Sequence, residues 1–207
     1  MKAKKILLFV LSAIVIFQML SFSVFAASGT ARIFTYTWSN LNTRPSGNTT
    51  VLRHLWNMGY DAGEYLNNGD VSAVSSMPKS TIWAIASHGS AGGVWAGSDN
   101  DKSYIYANQT VSGKNKSLSS LSKSSLADTR LVMYITCYSG LTSSTFGNLI
   151  SMTRTKGAQC AVGWYGKLEN NSANEWIRLF FEKADKEHDV IWECFNHADY
   201  WTEDIWG

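Results

Sequence analysis

Two short runs of continuous apolar residues constrain the fold of this chain more than any other feature. Residues 81–87 read Thr-Ile-Trp-Ala-Ile-Ala-Ser, and residues 131–136 read Leu-Val-Met-Tyr-Ile-Thr. Apolarity that continues without alternation is typical of a strand covered on both faces, as in parallel sheets. We therefore predict that both runs are buried, parallel strands that lie close together in one sheet.

The segments around these runs follow the periodicity of helices and strands. Further strands are predicted at 32–38, 60–66 and 159–164. Helices are predicted at 50–58, 70–77, 143–155, 172–184 and 188–200, the fourth capped by Ser172 with Glu175 three residues later. A Gly-rich loop is expected at 90–100, part of a hairpin at 104–111, and an exposed stretch at 112–125. Strands that alternate with helices predict an α/β fold with a mostly parallel central sheet, flanked by helices on both faces.

The first residues have the pattern of a secretory signal. Three lysines precede the apolar stretch 6–20, and Val24 and Ala26 occupy the positions that a signal peptidase reads. The alternative is a membrane anchor, but the apolar stretch is shorter than the roughly 20 residues needed to span a bilayer. We predict a signal peptide at 1–26 and a single secreted domain at 27–207, with no stable membrane insertion after the signal is removed.

The composition excludes several classes of protein. Charged residues make up 16% of the chain, against about 25% in typical domains, and aromatic residues make up 13%. A chain with few charges and many aromatics can bury a core, which argues against disorder. The formal net charge of +2 argues against nucleic-acid binding, which needs a clustered basic surface.

The two predicted buried strands each end in a residue that can do chemistry. His88 follows the first strand and Cys137 follows the second, and Gly89 and Gly140 come close behind them. Sites in open α/β sheets form at the carboxyl ends of the strands. A thiol and an imidazole there can act as a nucleophile and its base, and backbone N–H groups at the turns can stabilise an oxyanion.

These residues resemble the caspase-like cysteine peptidases, in which one apolar strand ends in His-Gly and a later one ends in Cys. Cys137 follows His88 by 49 positions, close to the caspase spacing of about 50. The run Cys137-Tyr138-Ser139-Gly140 resembles the Cys-x-Ser-Gly of metacaspases and legumains. Residues 161–164 and the segment from Ser172 onward are similar to the end of CHAT-type domains. The resemblance covers roughly residues 30–202.

The resemblance implies a secreted cysteine endopeptidase of caspase-like fold that acts on a protein or peptide. Cys137 would be the nucleophile and His88 the general acid/base. The backbone N–H groups of Gly89 and Cys137 would form the oxyanion site. No cofactor is required, although calcium dependence, found among metacaspases, stays open. The chain departs from metacaspases and legumains at Ile135, where they carry an acid, so their preference for a particular residue before the cut does not carry over.

Simpler interpretations of the same residues stay open. A cysteine such as Cys137 is commonly a small buried hydrophobe, and a non-catalytic secreted binding module of the same fold is the alternative function. His54 is expected to face solvent. Cys160 and Cys194 are predicted to be buried thiols or a disulfide pair. A metal site is poorly supported, because the chain has no Cys-x-x-Cys and no His-Glu-x-x-His.

The tryptophans are expected to serve mostly as core residues. This expectation applies to Trp38, Trp56, Trp83, Trp176 and Trp192. Trp95 and Trp164 follow predicted strand ends, where an indole can line a cleft, although packing in the core or at its rim is the default. Trp164 is the candidate contact with a substrate.

Overall fold

A computed structural model of the protein describes residues 29–36, 49–66, 70–98 and 101–206. The predicted signal peptide lies outside the described residues, as do the last two residues of the predicted strand 32–38, which include Trp38. Within the described part, no helix is long and apolar enough to cross a lipid bilayer.

Strands and helices alternate along the described chain. The strands are β1 (Gly29–Thr35), β2 (Tyr60–Leu66), β3 (Ile82–Ala86), β4 (Gly89–Ser90), β5 (Gly93–Ser98), β6 (Asp101–Tyr106), β7 (Lys116–Ser117), β8 (Leu131–Ile135) and β9 (Cys160–Gly163). The helices are α1 (Thr49–Asn57), α2 (Asp70–Ser76), α3 (Leu149–Thr155), α4 (Asn170–Glu187) and α5 (Ile191–Trp206). Short 3₁₀ turns cover Met77–Lys79 and Leu118–Ser120.

The central sheet has five strands in the order β2-β1-β3-β8-β9, and every pairing in it is parallel. All five residues of β3 and all five of β8 are buried. The predicted α/β class and the predicted pairing of the two continuous apolar runs are therefore confirmed. The strand order reverses between β1 and β3, which is the position where ligands bind in sheets of this kind.

Two core layers cover the sheet, one on each face. One layer joins the sheet to α1, α4 and α5 through side chains that include Ile33, Leu55 and Phe180. The other joins it to α2, α3 and the small sheet through side chains that include Trp83 and Tyr134. Adjacent residues of β3 and β8 point into opposite layers, which explains why both runs are apolar at every position.

A second sheet, of strands β4-β5-β6-β7, follows His88. The predicted Gly-rich loop at 90–100 is wrong, because β5 occupies much of it and pairs antiparallel with β6. Gly92 and Gly97 adopt left-handed backbone angles, with φ of 75° and 92°, so these glycines permit turns and local twist in the small sheet rather than an irregular loop. Residues 104–111 were expected to form part of a hairpin. The hairpin is present, but it consists of β5 and β6 and ends at Tyr106.

Three predicted helices begin at least two residues from where they were expected, and the last of them, predicted at 188–200, covers Ile191–Trp206. The helix predicted at 143–155 begins only at Leu149, because Gly147 is left-handed and the Asn148 side chain accepts a hydrogen bond from the Ser151 N–H as an N-cap. The helix predicted from Ser172 begins two residues earlier, after Glu169. The predicted cap at Ser172 is wrong, because Glu169 is the N-cap residue, and it makes no side-chain cap bond.

His54 does not face solvent as predicted. It is 6% exposed, and its Nδ1 lies 2.7 Å from Asp185 Oδ2 on α4. Asn57 Nδ2 donates to the same oxygen over 2.8 Å. Burial on its own raises the pKa of Asp185, but the hydrogen bonds from His54 and Asn57 outweigh it and lower that pKa. This cluster, in which His54 is the buried member, joins α1 to α4.

The core assignment of the tryptophans is correct for Trp83 and Trp176, which are almost fully buried. It is wrong for Trp56 and Trp192, which are 52% and 44% exposed. Both lie on amphipathic helices whose other faces already fill the core, and sequence alone gave no reason to choose which face an indole takes.

The three cysteines are free thiols. Cys194 is buried, and burial first of all raises the pKa of its thiol to about 12. Cys160 is partly buried, and burial raises the pKa of its thiol also. Of the two predicted alternatives, buried thiols and a disulfide, the structure has the thiols.

Candidate active site

His88 and Cys137 leave neighbouring strands at the same edge of the central sheet. β3 and β8 are parallel, and Ala86 is the partner of Ile135 at their carboxyl ends. The Ser87 N–H donates to the Ile135 carbonyl over 3.4 Å. His88 and Cys137 each lie two residues beyond the end of their strand. Both residues are half-buried, so they are open to solvent in part.

Gly89 holds the two turns in direct contact. A Cβ atom added to Gly89 would lie 2.3 Å from Thr136 Oγ1 and 2.8 Å from the Cys137 carbonyl oxygen. Both distances are shorter than any side chain allows. Glycine is therefore needed here for close backbone approach, not for an unusual φ.

The Cys137 turn has a strained backbone and a covered sulfur. Tyr138 adopts a left-handed φ of 58°, which is uncommon for a residue other than glycine and is typical of functional turns. The Leu168 N–H donates to the Cys137 Sγ over 3.3 Å. The Sγ lies 3.7 Å from the Leu168 carbonyl oxygen, to which the thiol donates. The segment after β9 thus contacts the sulfur, a feature that no pattern in the sequence indicated.

The Ser139 and Gly140 positions of the motif fix the turn rather than perform chemistry. Ser139 is fully buried, and its hydroxyl lies 2.9 Å from the carbonyl oxygens of Tyr134 and Thr136. The same hydroxyl accepts the Trp164 N–H over 3.1 Å. The Gly140 N–H donates to the Trp164 carbonyl over 2.9 Å. These bonds tie the turn to the end of β9.

The backbone N–H groups of Gly89 and Cys137 are the candidate oxyanion donors. The Trp95 N–H donates to the His88 carbonyl over 2.9 Å, so His88 and Trp95 form a hydrogen-bonded pair. The next pair, Gly89 and Val94, is then of the type without hydrogen bonds, and the Gly89 N–H points away from β5. The Cys137 N–H has no hydrogen-bond partner within the described parts of the chain.

Buried hydroxyl groups surround the same edge of the sheet. Thr35 ends β1, Ser87 follows β3 and Thr136 follows β8, and each is at most 3% exposed. Their side-chain oxygens have no hydrogen-bond partner among the described residues. Unsatisfied buried polar atoms are rare in native proteins and often mark a site that a ligand or water completes.

The rings near the site lie in two different environments. The His88 ring contacts the Trp95 ring with their centroids 5.2 Å apart and their planes at 63°. Trp164, the candidate substrate contact, packs its indole against Trp176 at 5.0 Å and contacts the core layer of the helices. Its backbone, through the bonds with Ser139 and Gly140, is the part of Trp164 that contacts the Cys137 turn.

Ile135 is 1% exposed and belongs to the core. The Ile135 side chain points into the core layer between the central sheet and helices α1, α4 and α5.

Two concavities adjoin the Cys137 turn through Gly140. One, of about 330 Å³, lies beside edge strand β9 and is lined mostly by apolar side chains, Trp192 and Phe195 of α5 among them. The other, of about 510 Å³, lies at the start of α3. Neither of these two concavities is lined by His88 or Cys137. No cluster of His, Cys, Asp and Glu suited to a metal ion occurs among the residues described.

Comparison of the sequence with models of protein families and with curated proteins found no match.

Proposed function

We propose that this chain is a secreted cysteine endopeptidase with a caspase-like fold, using Cys137 as nucleophile and His88 as general acid/base. The observation that carries the proposal is the meeting of the His88-Gly89 and Cys137 turns at one sheet edge. Parallel pairing of β3 with β8 and the close approach of Gly89 to the Cys137 carbonyl support it, because they bring together two turns that lie far apart in sequence.

In the proposed first step, the Cys137 thiolate attacks the carbonyl carbon of the scissile peptide bond. A carbon–sulfur bond forms, and the negative charge moves to the carbonyl oxygen. The N–H groups of Gly89 and Cys137 are the proposed donors to that oxygen. The carbon–nitrogen bond then breaks as protonated His88 gives its proton to the leaving amine, and a thioester on Cys137 results.

In the proposed second step, neutral His88 takes a proton from water as the water attacks the thioester. The carbon–sulfur bond breaks, the new carboxyl product leaves and the Cys137 thiolate is restored. His88 ends the cycle protonated, so protons balance over the two steps. His88 in this scheme acts on the leaving group and on water, and does not need a hydrogen bond to the sulfur in the free protein.

The segment after β9 supplies the groups nearest to the Cys137 sulfur that the structure shows. A free thiol has a pKa of about 8.5, so an unassisted cysteine is mostly protonated at neutral pH. The Leu168 N–H points at the sulfur. Lys167 has a raised pKa, mainly from its hydrogen bond and charge interaction with Glu169 and to a smaller extent from the charge of Cys137.

The test is turnover and thiol labelling of purified full-length protein. Cys137→Ala should abolish peptide cleavage and keep the fold. His88→Ala should lower turnover by at least about 10²-fold, the lower end for positioned acid–base catalysis. Iodoacetamide at pH 7 should label Cys137 ahead of Cys160 and Cys194, whose thiols have raised pKa values. Cys160→Ala is the matched control and should keep turnover.

The second candidate is a non-catalytic binding module, and one observation favours it. The Cys137 sulfur makes its hydrogen bonds with the Leu168 backbone, as a structural thiol does. A folded protein that cleaves no member of a broad peptide library, and whose Cys137 reacts no faster than an ordinary thiol, would select this candidate.

A further inference from the structure

A row of aromatic side chains begins at His88 and continues over the small sheet. We call Trp95, Tyr104, Tyr106 and Phe146 the aromatic strip. Its successive ring centroids are 5.7, 5.7 and 4.6 Å apart, and the Trp95 ring lies 5.2 Å from that of His88. The strip is therefore a continuous surface that starts at the candidate general acid/base.

The aromatic strip lies on the outer face of its sheet. Val94 and Ala96 of β5 and Ile105 of β6 are fully buried and face the core layer. Alternation along a strand sends the intervening side chains to the opposite face. Trp95, Tyr104 and Tyr106 are half-buried there. The sheet thus already has an apolar inner face, and the half-buried rings add a second apolar surface, of which Trp95 also packs against the core layer.

Both candidate catalytic segments contribute to the aromatic strip. Three of its members follow His88, and Phe146 lies in the loop that follows Cys137. The Asn108 N–H donates to the Phe146 carbonyl over 2.8 Å. A Cβ atom on Gly92 would lie 2.9 Å from Phe146 Cβ and 2.6 Å from the Gly147 carbonyl. The hairpin and the loop are therefore docked closely, and the strip is formed in advance of any ligand.

We propose that the aromatic strip binds apolar side chains of the peptide substrate on one side of the scissile bond. This inference rests on the proposed peptidase function and names the substrate class of that site. The strip is continuous with His88 and consists of aromatic rings, which suits uncharged, apolar residues. An extended peptide presents side chains on one face about every 7 Å, so alternate substrate residues can contact successive rings.

The rings also suit this role energetically. Tyr, Trp and Phe bury a large area while ordering only two side-chain torsions, so they bind at a low cost in conformational entropy. Cross-strand aromatic pairs such as Trp95 with Tyr104 also stabilise sheets. The experiment must therefore separate recognition from stability.

The test compares cleavage of a defined peptide library by wild-type protein, Tyr104→Ala and Tyr200→Ala. Tyr200 is 66% exposed on α5 and serves as the matched control. Wild-type protein should prefer apolar residues at alternate positions on one side of the cut. Tyr104→Ala should lower kcat/KM for those peptides about tenfold, as expected when one apolar contact is lost. Tyr104→Ala should leave the kcat/KM for the glycine-substituted counterparts of these peptides unchanged. It should also leave the rate of Cys137 labelling by iodoacetamide unchanged. Tyr200→Ala should change neither.

The outcomes are distinguishable. Cleavage by wild-type protein without an apolar preference, or with one that Tyr104→Ala keeps, would overturn the inference and leave the peptidase proposal intact. Absence of any cleavage would overturn the peptidase proposal itself. If Tyr104→Ala does not fold, the wild-type comparison of apolar and glycine-substituted peptides still decides. Equal cleavage rates for the apolar and the glycine-substituted peptides would refute the role of the strip. Binding of an oligosaccharide at the strip in place of peptide would refute it also.

Discussion

Replacing Gly89 with alanine should separate the two turns that form the candidate site. The added Cβ would lie 2.3 Å from Thr136 Oγ1, 2.7 Å from Thr136 Cβ and 2.8 Å from the Cys137 carbonyl oxygen. Ordinary van der Waals contact begins near 3.4 Å, so the neighbouring atoms must move by roughly 0.5–1 Å to reach normal packing distances. One of these atoms belongs to the backbone and cannot rotate away.

This displacement should change both the free energy of unfolding and the rate of cleavage. Overpacking of this kind costs about 1–3 kcal/mol of unfolding free energy. A misplacement of about 1 Å between reacting groups costs about 10²-fold in rate. Because alanine keeps the N–H group, the loss of rate would come from displacement and not from a missing oxyanion donor. Urea unfolding and the kcat/KM for a cleaved peptide measure the two effects separately.

Gly166→Ala is the matched control. Gly166 lies in the segment that covers Cys137, and an added Cβ there meets no atom within 4 Å, so stability and turnover should stay near wild type. In a Gly89→Ala protein, adding Thr136→Gly should restore part of the stability, since it removes two of the three close contacts. The contact with the Cys137 carbonyl persists, so turnover should stay low. Wild-type stability and turnover in Gly89→Ala alone would refute the reasoning.

Three further predictions concern stability, measured by urea unfolding. Asp185→Ala removes the acceptor of His54 and should cost about 1–3 kcal/mol at pH 7, as leaving a buried hydrogen-bonding group unsatisfied does. The pKa of folded Asp185 is lowered. The stabilisation is therefore present above the ordinary Asp pKa of about 3.9 and is lost as the pH falls through the pKa of the folded protein. A cost of Asp185→Ala that grows toward low pH would contradict this. Tyr134→Phe leaves the buried Thr153 hydroxyl, now 2.6 Å from the Tyr134 hydroxyl, without its partner. This should cost about 1–3 kcal/mol of unfolding free energy. An unchanged urea midpoint would argue against the bond. Cys194→Ser puts a hydroxyl into the core and should cost about 1–3 kcal/mol of unfolding free energy. Turnover per folded molecule should be unchanged. Selective loss of turnover would mean that Cys194 takes part in catalysis.

The sequence was sufficient to predict the parts of the fold that depend on local pattern. The continuous apolarity of β3 and β8 follows from burial on both faces, so their strand character and parallel pairing could be read directly. The same was true of β2, whose bounds were predicted as they occur. From these strands followed the prediction that His88 and Cys137 emerge at one edge of the sheet.

The features that were missed depend on tertiary contact. Strand β5 pairs across a hairpin made possible by left-handed glycines, and glycine content alone suggested a loop. His54 is buried because α4, distant in sequence, supplies Asp185 as a partner. The contact of Leu168 with the Cys137 sulfur requires the turn after β9 to fold back over the site. None of these contacts leaves a periodic signal in the chain.

The all-parallel central sheet also affects when the site can form. Parallel neighbours are joined by crossovers, so β3 and β8 meet only after a long stretch of chain has closed into a loop. Contacts of such high sequence separation form slowly. We therefore expect the His88 and Cys137 turns to come together late in folding, after each has its own local structure. A newly made chain would then hold its thiol and imidazole apart until β3 and β8 pair, and folding itself would time the onset of reactivity.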